Sequence, residues 1–366
     1  MDRHYMKMAL ELAARARGRT SPNPMVGAVV VKAGHVVGQG YHRRAGTPHA
    51  EMLALAEAGR DAAGATLYVT LEPCCHHGRT GPCSEAVIAA GVAKVVIAMA
   101  DPNPLVAGGG IRRLRDAGLE VIQGVMEEEA WELNEVFIKY ITTRQPFTVA
   151  KVAMSLDGKI ATRTGQSKWI TGPEARACGH QLRDWYDAIM VGIGTVLADD
   201  PFLTTRLSAE KGRDPVRVIL DSQARTPLNA TILTQRSEAP TLIATTASAP
   251  LKRLEALRQV GAEVLVVNEG ARVNLNELIK MLGQREVTSI LIEGGAEVHG
   301  SALTAKIVDK VVWFIAPKII GGRDAPGPVG GMGVGDLSVA AELERVIVNT
   351  LGSDLCVEGY IRYRGG

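Results

Sequence analysis

The chain has 366 residues, 46% of them hydrophobic, which is enough for roughly two globular domains at about 150 residues each. Its 41 basic and 39 acidic residues leave a net charge of +2 spread along the chain, and aromatic residues make up only 4%. That balance lacks the basic footprint of a nucleic-acid or anionic-lipid binder and the stacking platform of a single-strand binder, and it leaves small-molecule chemistry, with neither nucleic acid nor membrane as partner.

The N-terminal Met1-Asp2-Arg3-His4-Tyr5 carries no apolar leader region, and nowhere do about 18 apolar residues run together, so a cytoplasmic protein is expected. Met6, Ala9, Leu10 and Ala13 recur at helical spacing and predict an amphipathic helix over 3–17 that stops near Gly18. After the turn-rich Thr20-Ser21-Pro22-Asn23-Pro24, the β-branched runs Val26 to Lys32 and His35 to Gly40 form a hairpin around Ala33-Gly34. Helix and strand then alternate. The spacing predicts a helix from His49 to Ala58, strand Ala65 to Leu71, helix Ser84 to Ala90, strand Lys94 to Met99, helix Ile111 to Ala117, strand Leu119 to Gln123 and one helix from Glu127 to Thr142. An α/β sandwich with helices on both sheet faces follows.

Pro146 breaks the last helix, which sets a domain boundary with residues 1–145 before it and 146–366 after it. The second part restarts with strand Phe147 to Met154. It continues with strands at Ala188 to Val191, Val216 to Leu220, Thr241 to Thr245, Glu263 to Val267, Ser289 to Ile292 and Val311 to Ile315, a second α/β domain.

Three of the five cysteines crowd into residues 74–83, a clustering that reads as metal binding and not as disulfides. Pro48-His49-Ala50-Glu51 is followed by Glu72-Pro73-Cys74-Cys75-His76-His77-Gly78-Arg79-Thr80-Gly81-Pro82-Cys83. One His, two Cys and a non-ligating Glu are the components of a zinc-dependent hydrolytic deaminase. His49 opens a helix, Cys74 follows a strand and Cys83 opens the next helix. A helix N-terminus favours the thiolate, and three protein ligands leave a fourth position for water, which zinc brings to a pKa of about 7. Glu51 is then the proton shuttle. Spacing alone leaves Cys75 as a competitor for the second thiolate, and Cys75, His76 or His77 as a fourth ligand of a structural site.

On these residues the first 145 positions resemble the deaminase domain of the bifunctional riboflavin-biosynthesis enzyme, a diaminohydroxyphosphoribosylaminopyrimidine deaminase fused to 5-amino-6-(5-phosphoribosylamino)uracil reductase. Pro22-Asn23-Pro24-Met25-Val26-Gly27, Gly40-Tyr41-His42, the His49 and Cys74 to Cys83 motifs and Asp101-Pro102-Asn103-Pro104-Leu105-Val106-Ala107-Gly108 carry the likeness. The resemblance implies a cytidine-deaminase-like α/β/α sandwich, zinc on His49, Cys74 and Cys83, and Glu51 as the catalytic residue. Asn23 is suited to the polar edge of the pyrimidine, and His42, Arg79 and Asn103 to the ribose phosphate. Gly109 stands where similar sequences often carry a basic residue.

In the second half, Gly192-Ile193-Gly194-Thr195 and Glu293-Gly294-Gly295-Ala296-Glu297-Val298-His299-Gly300-Ser301 each follow a strand, and neither completes the dinucleotide fingerprint G-x-G-x-x-G. Residues 147–361 are similar to the same family's reductase domain, through Ser155 to Ala161, Ser167 to Thr171, Gly192 to Pro201, Leu220-Asp221-Ser222, Glu293 to Ser301 and Ala316 to Gly322. That similarity implies a dihydrofolate-reductase-like α/β domain using NADPH. Ala153, Trp169, Thr195, Asp199, Ser222 and Gly295, Ala296, Glu297, Val298, His299, Gly300 and Ser301 are expected at the cofactor. Ser167, Arg183, Leu203, Arg206 and Glu293 are expected at the phosphorylated pyrimidine substrate, with Arg183 and Arg206 as a fork for the phosphate. A homo-oligomer is expected. Other readings are a nucleoside, guanine or tRNA-adenosine deaminase with an unrelated partner domain, and a zinc-stabilised dinucleotide sensor without turnover.

Overall fold

A computed structural model of the protein describes residues 1–75, 81–104, 106, 108–208 and 212–363. The chain divides into two compact units, Met1–Arg144 and Gln145–Gly366.

The first unit holds one sheet of β1 (Gly27–Lys32), β2 (His35–Tyr41), β3 (Thr66–Leu71), β4 (Lys94–Met99) and β5 (Glu120–Gln123), in the spatial order β2-β1-β3-β4-β5. The hairpin strands β1 and β2 are antiparallel, β1 is antiparallel to β3, and β3, β4 and β5 run parallel. Neighbouring residues of a strand point to opposite faces, yet Val29 and Val30 are both fully buried, as are Val95, Val96 and Ile97. Both faces are therefore covered, as a sandwich requires. The N-terminal helix Asp2–Ala14 supplies Met6, Ala9 and Ala13 to the same core.

The helix expected from Glu127 to Thr142 is in fact two, Glu127–Leu133 and Glu135–Thr143. Asn134 separates them because its side chain is committed elsewhere. Its Oδ1 accepts from the Met25 N–H at 2.8 Å and its Nδ2 donates to the Met25 carbonyl at 3.0 Å. A buried amide satisfied by a distant backbone outweighs the continuity that periodicity suggests.

Among its described residues the second unit has nine strands: β6 (Phe147–Ser155), β7 (Ala188–Gly192), β8 (Val216–Leu220), β9 (Thr241–Thr246), β10 (Glu263–Asn268), β11 (Ser289–Gly294), β12 (Lys310–Ala316), β13 (Glu342–Leu351) and β14 (Asp354–Arg362). Their order is β10-β9-β8-β7-β11-β6-β12-β14-β13, parallel from β10 to β12. Because β11 inserts between β6 and β7, the chain reverses its direction of travel there, and the carboxyl ends of these strands open a crevice of the kind that holds ligands. The hairpin β13–β14 is antiparallel and had no counterpart among the expected strands. From Leu343 to Thr350 every side chain of β13 is exposed, so neither face imposes the alternation by which a strand is read.

Candidate active sites

In the first unit the sheet brings four separate segments to one edge. Since β1 is antiparallel to β3, the entry to β1, with Asn23, lies beside the exits of β3 and β4, which lead to Cys74 and Asn103, and beside the exit of β2, which leads to His42. His49 caps the helix Ala50–Ala58 and Cys83 opens the helix Cys83–Ala89. There His49 Nδ1 lies 3.1 Å from Cys83 Sγ and 3.8 Å from Cys74 Sγ, and the ligand atoms of all three fall within 4.8 Å of one another. Tetrahedral zinc, with Zn–S near 2.3 Å and Zn–N near 2.0 Å, needs nitrogen and sulfur donors about 3.6 Å apart, so this donor set fits that ion in both chemistry and spacing. Cys75 is not part of the cluster.

The electrostatics agree with a cation site. The hydrogen bond from Cys83, together with those from His49 and the backbone, holds the Cys74 thiol at about 4, despite burial. Cys83 is pushed upward, first by sharing its proton with Cys74 and then by burial. The hydrogen bond with Cys74 raises His49. Glu51 is only 4% exposed, and burial lifts its carboxyl to about 7.

His42 is buried, and both of its ring nitrogens are engaged. Its Nδ1 faces the Pro48 carbonyl at 3.2 Å and its Nε2 faces Asn23 Nδ2 at 3.1 Å. A carbonyl can only accept, so Nδ1 carries the proton, Nε2 accepts, and the Asn23 amide is fixed with its NH₂ towards the ring. Burial also lowers the His42 pKa, which suits this neutral tautomer. His42 therefore sits behind Asn23 and orients it; its ring is not on an open loop facing a phosphate.

Sequence reasoning missed Glu72. It is buried, with Oε2 accepting from the N–H groups of Asp101 and Gly108, both at 3.1 Å, and Oε1 accepting from Ile111 at 3.0 Å. One carboxylate thus fixes the loop that bears Asn103, whose own N–H is held by Asp101 Oδ1 at 2.9 Å. A Cβ at position 109 would lie 2.7 Å from Cys75 Sγ, so a side chain there would require that thiol to turn away. Arg79 lies outside the described residues, as do His76 and His77.

In the second unit the two glycine turns meet at the crevice. The Gly295 N–H donates to Thr195 Oγ1 at 3.2 Å, which joins the exits of β7 and β11. Gly294 has a φ of 146°, a conformation that favours glycine. Beside them Glu293 is gripped by Arg183, with Nε to Oε1 at 2.6 Å and Nη2 to Oε2 at 2.9 Å, and by Lys151 at 3.4 Å. Burial would raise the Glu293 carboxyl, but Arg183 and Lys151 outweigh it and hold it well below the usual carboxylate range. Arg183 Nη1 donates to the Thr204 carbonyl at 3.0 Å. With these bonds made, Arg183 is largely spent inside the protein, whereas Arg206 is exposed and, among the described residues, its guanidinium bonds only to Thr204 Oγ1, at 3.1 Å.

The other expected residues divide by burial. Trp169 is 64% exposed, with Arg176 stacked over its ring at 4.7 Å, so it is not a core tryptophan. Asp199, Glu297 and Ser301 are exposed, and Ala153, Ser167, Ser222 and Ala296 are half-buried. Leu203 puts its side chain into the core with Ile189 and Val196, at a φ of 54°, so it does not line a pocket with that side chain. Val298 is likewise a core residue, and His299 is buried between the carbonyls of Pro328 at 3.1 Å and Ile292 at 3.4 Å. At Gly300 a Cβ would come within 2.2 Å of the Gly330 carbonyl oxygen. The Val298 and His299 side chains are thus turned into the protein, and Gly300 lets the backbone of Gly330 pass close by.

His180, which the sequence did not single out, accepts from the Arg206 N–H at 3.3 Å through Nδ1. Burial, and then Arg183 and Arg206, hold its pKa at about 4. An unfolded His titrates near 6.5. Protons therefore bind the unfolded chain first, and the stability that neutral His180 permits is complete above about pH 6.5 and lost as the pH falls towards 4. His180→Gln should flatten the acid limb of the stability profile, as read from urea midpoints at several pH values across that window.

The two folds and sites together define a hydrolytic deaminase of the cytidine-deaminase type joined to a dinucleotide-dependent reductase. Residues 1–99 match the cytidine and deoxycytidylate deaminase zinc-binding region, and residues 146–357 match the RibD C-terminal domain. The riboflavin biosynthesis protein RibD of Actinobacillus pleuropneumoniae is 47% identical, over 98% of this chain and 94% of that one, and the protein of the same name from Aquifex aeolicus is 46% identical over 98% of each. A crystal structure of the Thermotoga maritima diaminohydroxyphosphoribosylaminopyrimidine deaminase/5-amino-6-(5-phosphoribosylamino)uracil reductase superposes with a TM-score of 0.86 at 39% identity, covering 99% of both chains. The RibD of Acinetobacter baumannii superposes equally well, with a TM-score of 0.86 at 38% identity over 99% of both chains.

The chain belongs to the RibD family of riboflavin-biosynthesis proteins. It is a bifunctional enzyme with a cytidine-deaminase-like zinc domain and a dihydrofolate-reductase-like domain that uses NADPH. Among the described residues no helix is long and apolar enough to cross a membrane.

Proposed function

We propose that residues 1–145 convert 2,5-diamino-6-(5-phosphoribosylamino)pyrimidin-4-one to 5-amino-6-(5-phosphoribosylamino)uracil, and that residues 146–366 reduce the ribosyl chain of that product to ribityl. The observation that carries the first half is the convergence of His49, Cys74 and Cys83 within 4.8 Å of one another, with buried Glu51 two residues from His49. Zinc bound there supplies a Lewis acid that makes hydroxide available at neutral pH. Glu51 takes the proton from the attacking water and gives it to the departing nitrogen. The water oxygen becomes the new ring carbonyl, and the amino group leaves as ammonia. Asn23, held by His42, reads the polar edge of the ring, and the Asn103 loop, held by Glu72, faces the sugar.

In the second unit the nicotinamide brings the hydride chemistry, and the protein positions it against ribose C1. Thr195 and Gly295 hold the cofactor where their two turns meet, and Arg206 takes the substrate phosphate. Incubating purified protein with the diaminopyrimidine, with and without NADPH, and identifying each product by mass tests the scheme. Ammonia with one product in the absence of NADPH, and a second, reduced product in its presence, are expected; an unchanged pyrimidine overturns it.

We further propose that the protein works in a reducing cytoplasm, since all five cysteines are free thiols, and that it is a homo-oligomer. Among the described residues the outer strand β13 pairs on one side only, with Val346, Ile347 and Val348 each about half exposed; its charges Glu342, Glu344 and Arg345 and the register shift between Glu344 and Ile347 lie towards its first half, which leaves Val346 to Leu351 uncharged. A second copy of β13, antiparallel about a two-fold axis, matches this strand with itself. A dimer by sedimentation, shifted to monomer by Ile347→Lys, is expected; a monomeric wild-type chain would overturn this assembly.

A further inference from the structure

The loop that carries Trp169 is held by its backbone from several sides. Lys318 Nζ donates to the carbonyls of Trp169 at 2.9 Å and Ile170 at 2.6 Å, Arg176 Nη1 donates to the Thr171 carbonyl at 2.9 Å, and the Gly172 N–H donates to Asp354 Oδ2 at 2.6 Å. Residues 169–172 are thus each fixed, while the Trp169 ring itself stays 64% exposed with the Arg176 guanidinium over it. A solvated indole does not need so firm a backbone to keep the fold.

Lys318 is anchored in its turn. It follows β12, and its carbonyl accepts from the Leu156 N–H at 2.8 Å, just after β6. Asp157 accepts from the N–H groups of Ile320 at 3.0 Å and Gly321 at 2.7 Å, which pins the residues after Lys318 to the same loop. Since β6 is parallel to both β12 and β11, these exits stand at the end of the sheet where the crevice lies. The helix Pro173–Trp185 begins where the clamp ends and carries both Arg176 and Arg183, so the indole is also fixed relative to the Arg183 and Glu293 pair. An ammonium has donors and no acceptor, which suits it to two neighbouring carbonyls; an apolar side chain of similar length would leave both carbonyls to solvent and the loop to its own torsions.

We infer that Lys318 is a positioning residue of the reductase, which holds the backbone of Trp169 and Ile170 so that the indole is preorganised to receive NADPH. The inference rests on the placement of Trp169 at the cofactor. Lys318 spends its ammonium on the loop and acts through Trp169. Order built in before binding is order that the cofactor does not have to impose.

Titration of the full-length chain with NADPH, followed by the cofactor's own fluorescence, is compared with steady-state reduction and urea unfolding for wild type, Lys318→Met, Lys318→Arg, Trp169→Ala and the double variant Lys318→Met/Trp169→Ala. Lys318→Met should raise the NADPH Kd by about 5- to 30-fold, the worth of ordering one or two side chains on binding, with kcat at saturating NADPH changed less than about threefold. Lys318→Arg should recover most of the loss. In the double variant the two losses should not multiply, because without the indole the clamp has nothing to present. An unchanged Kd in Lys318→Met, with or without a lower urea midpoint, makes the lysine a structural tie and overturns the inference, and so does multiplication of the two losses. If Trp169→Ala leaves NADPH binding intact while the clamp is whole, the placement of Trp169 at the cofactor fails, a result distinct from failure of Lys318 alone. Should the Met variant not fold, Lys318→Gln, uncharged and one atom shorter, takes its place.

Discussion

Glu51→Gln lowers ammonia release from the diaminopyrimidine by about 10²- to 10⁴-fold, the range for a positioned general acid/base, and leaves NADPH-dependent reduction of supplied aminouracil at the wild-type rate. The substitution keeps the shape of the side chain and removes only its capacity to carry a proton. Glu51 is almost wholly buried, where a neutral amide is cheaper to hold than a carboxylate, so loss of folding is not expected. Zinc content should be unchanged, because Glu51 does not join the cluster of His49, Cys74 and Cys83. Loss of zinc together with activity would make Glu51 a structural support, and loss of both activities in a folded protein would end the division of labour between the two sites.

The parts of this architecture that were legible in sequence are those in which chemistry fixes spacing. One imidazole and two thiolates must reach a single point, so His49, Cys74 and Cys83 stand out among scattered polar residues, and β3, β4 and the helix Cys83–Ala89 follow from the apolar runs around them. What escaped depends on partners remote in the chain. Asn134 looks like an ordinary helical residue until Met25 claims its side chain from 109 positions away. Glu72 reads as part of the Cys74 motif, although its work is to hold Asp101, Gly108 and Ile111. His42 stands in a stretch matched to the family and invites a ligand role, and only its two ring contacts show that it orients Asn23. The strand β13 escaped for the opposite reason: with both faces exposed, nothing in its pattern records its pairing with β14.

The two arginines expected to form a phosphate fork should give different losses. Arg206→Ala raises the KM of the reductase for its phosphorylated substrate by about 10- to 150-fold, the worth of one or two charge-assisted hydrogen bonds, with kcat little changed and ammonia release intact. Its side chain is exposed, so stability is unaffected. Arg183→Ala removes both short bonds to Glu293 and, among the described residues, leaves that buried carboxylate with Lys151 at 3.4 Å as its remaining ion-pair partner. Breaking a buried pair from one side costs about 3–5 kcal/mol, so this variant should unfold at markedly lower denaturant, whatever it does to turnover. Steady-state kinetics of both half-reactions, with urea unfolding of each variant, separate the two roles. A KM effect in Arg183→Ala without loss of stability would return that residue to the phosphate, and an unchanged KM in Arg206→Ala would remove Arg206 from it.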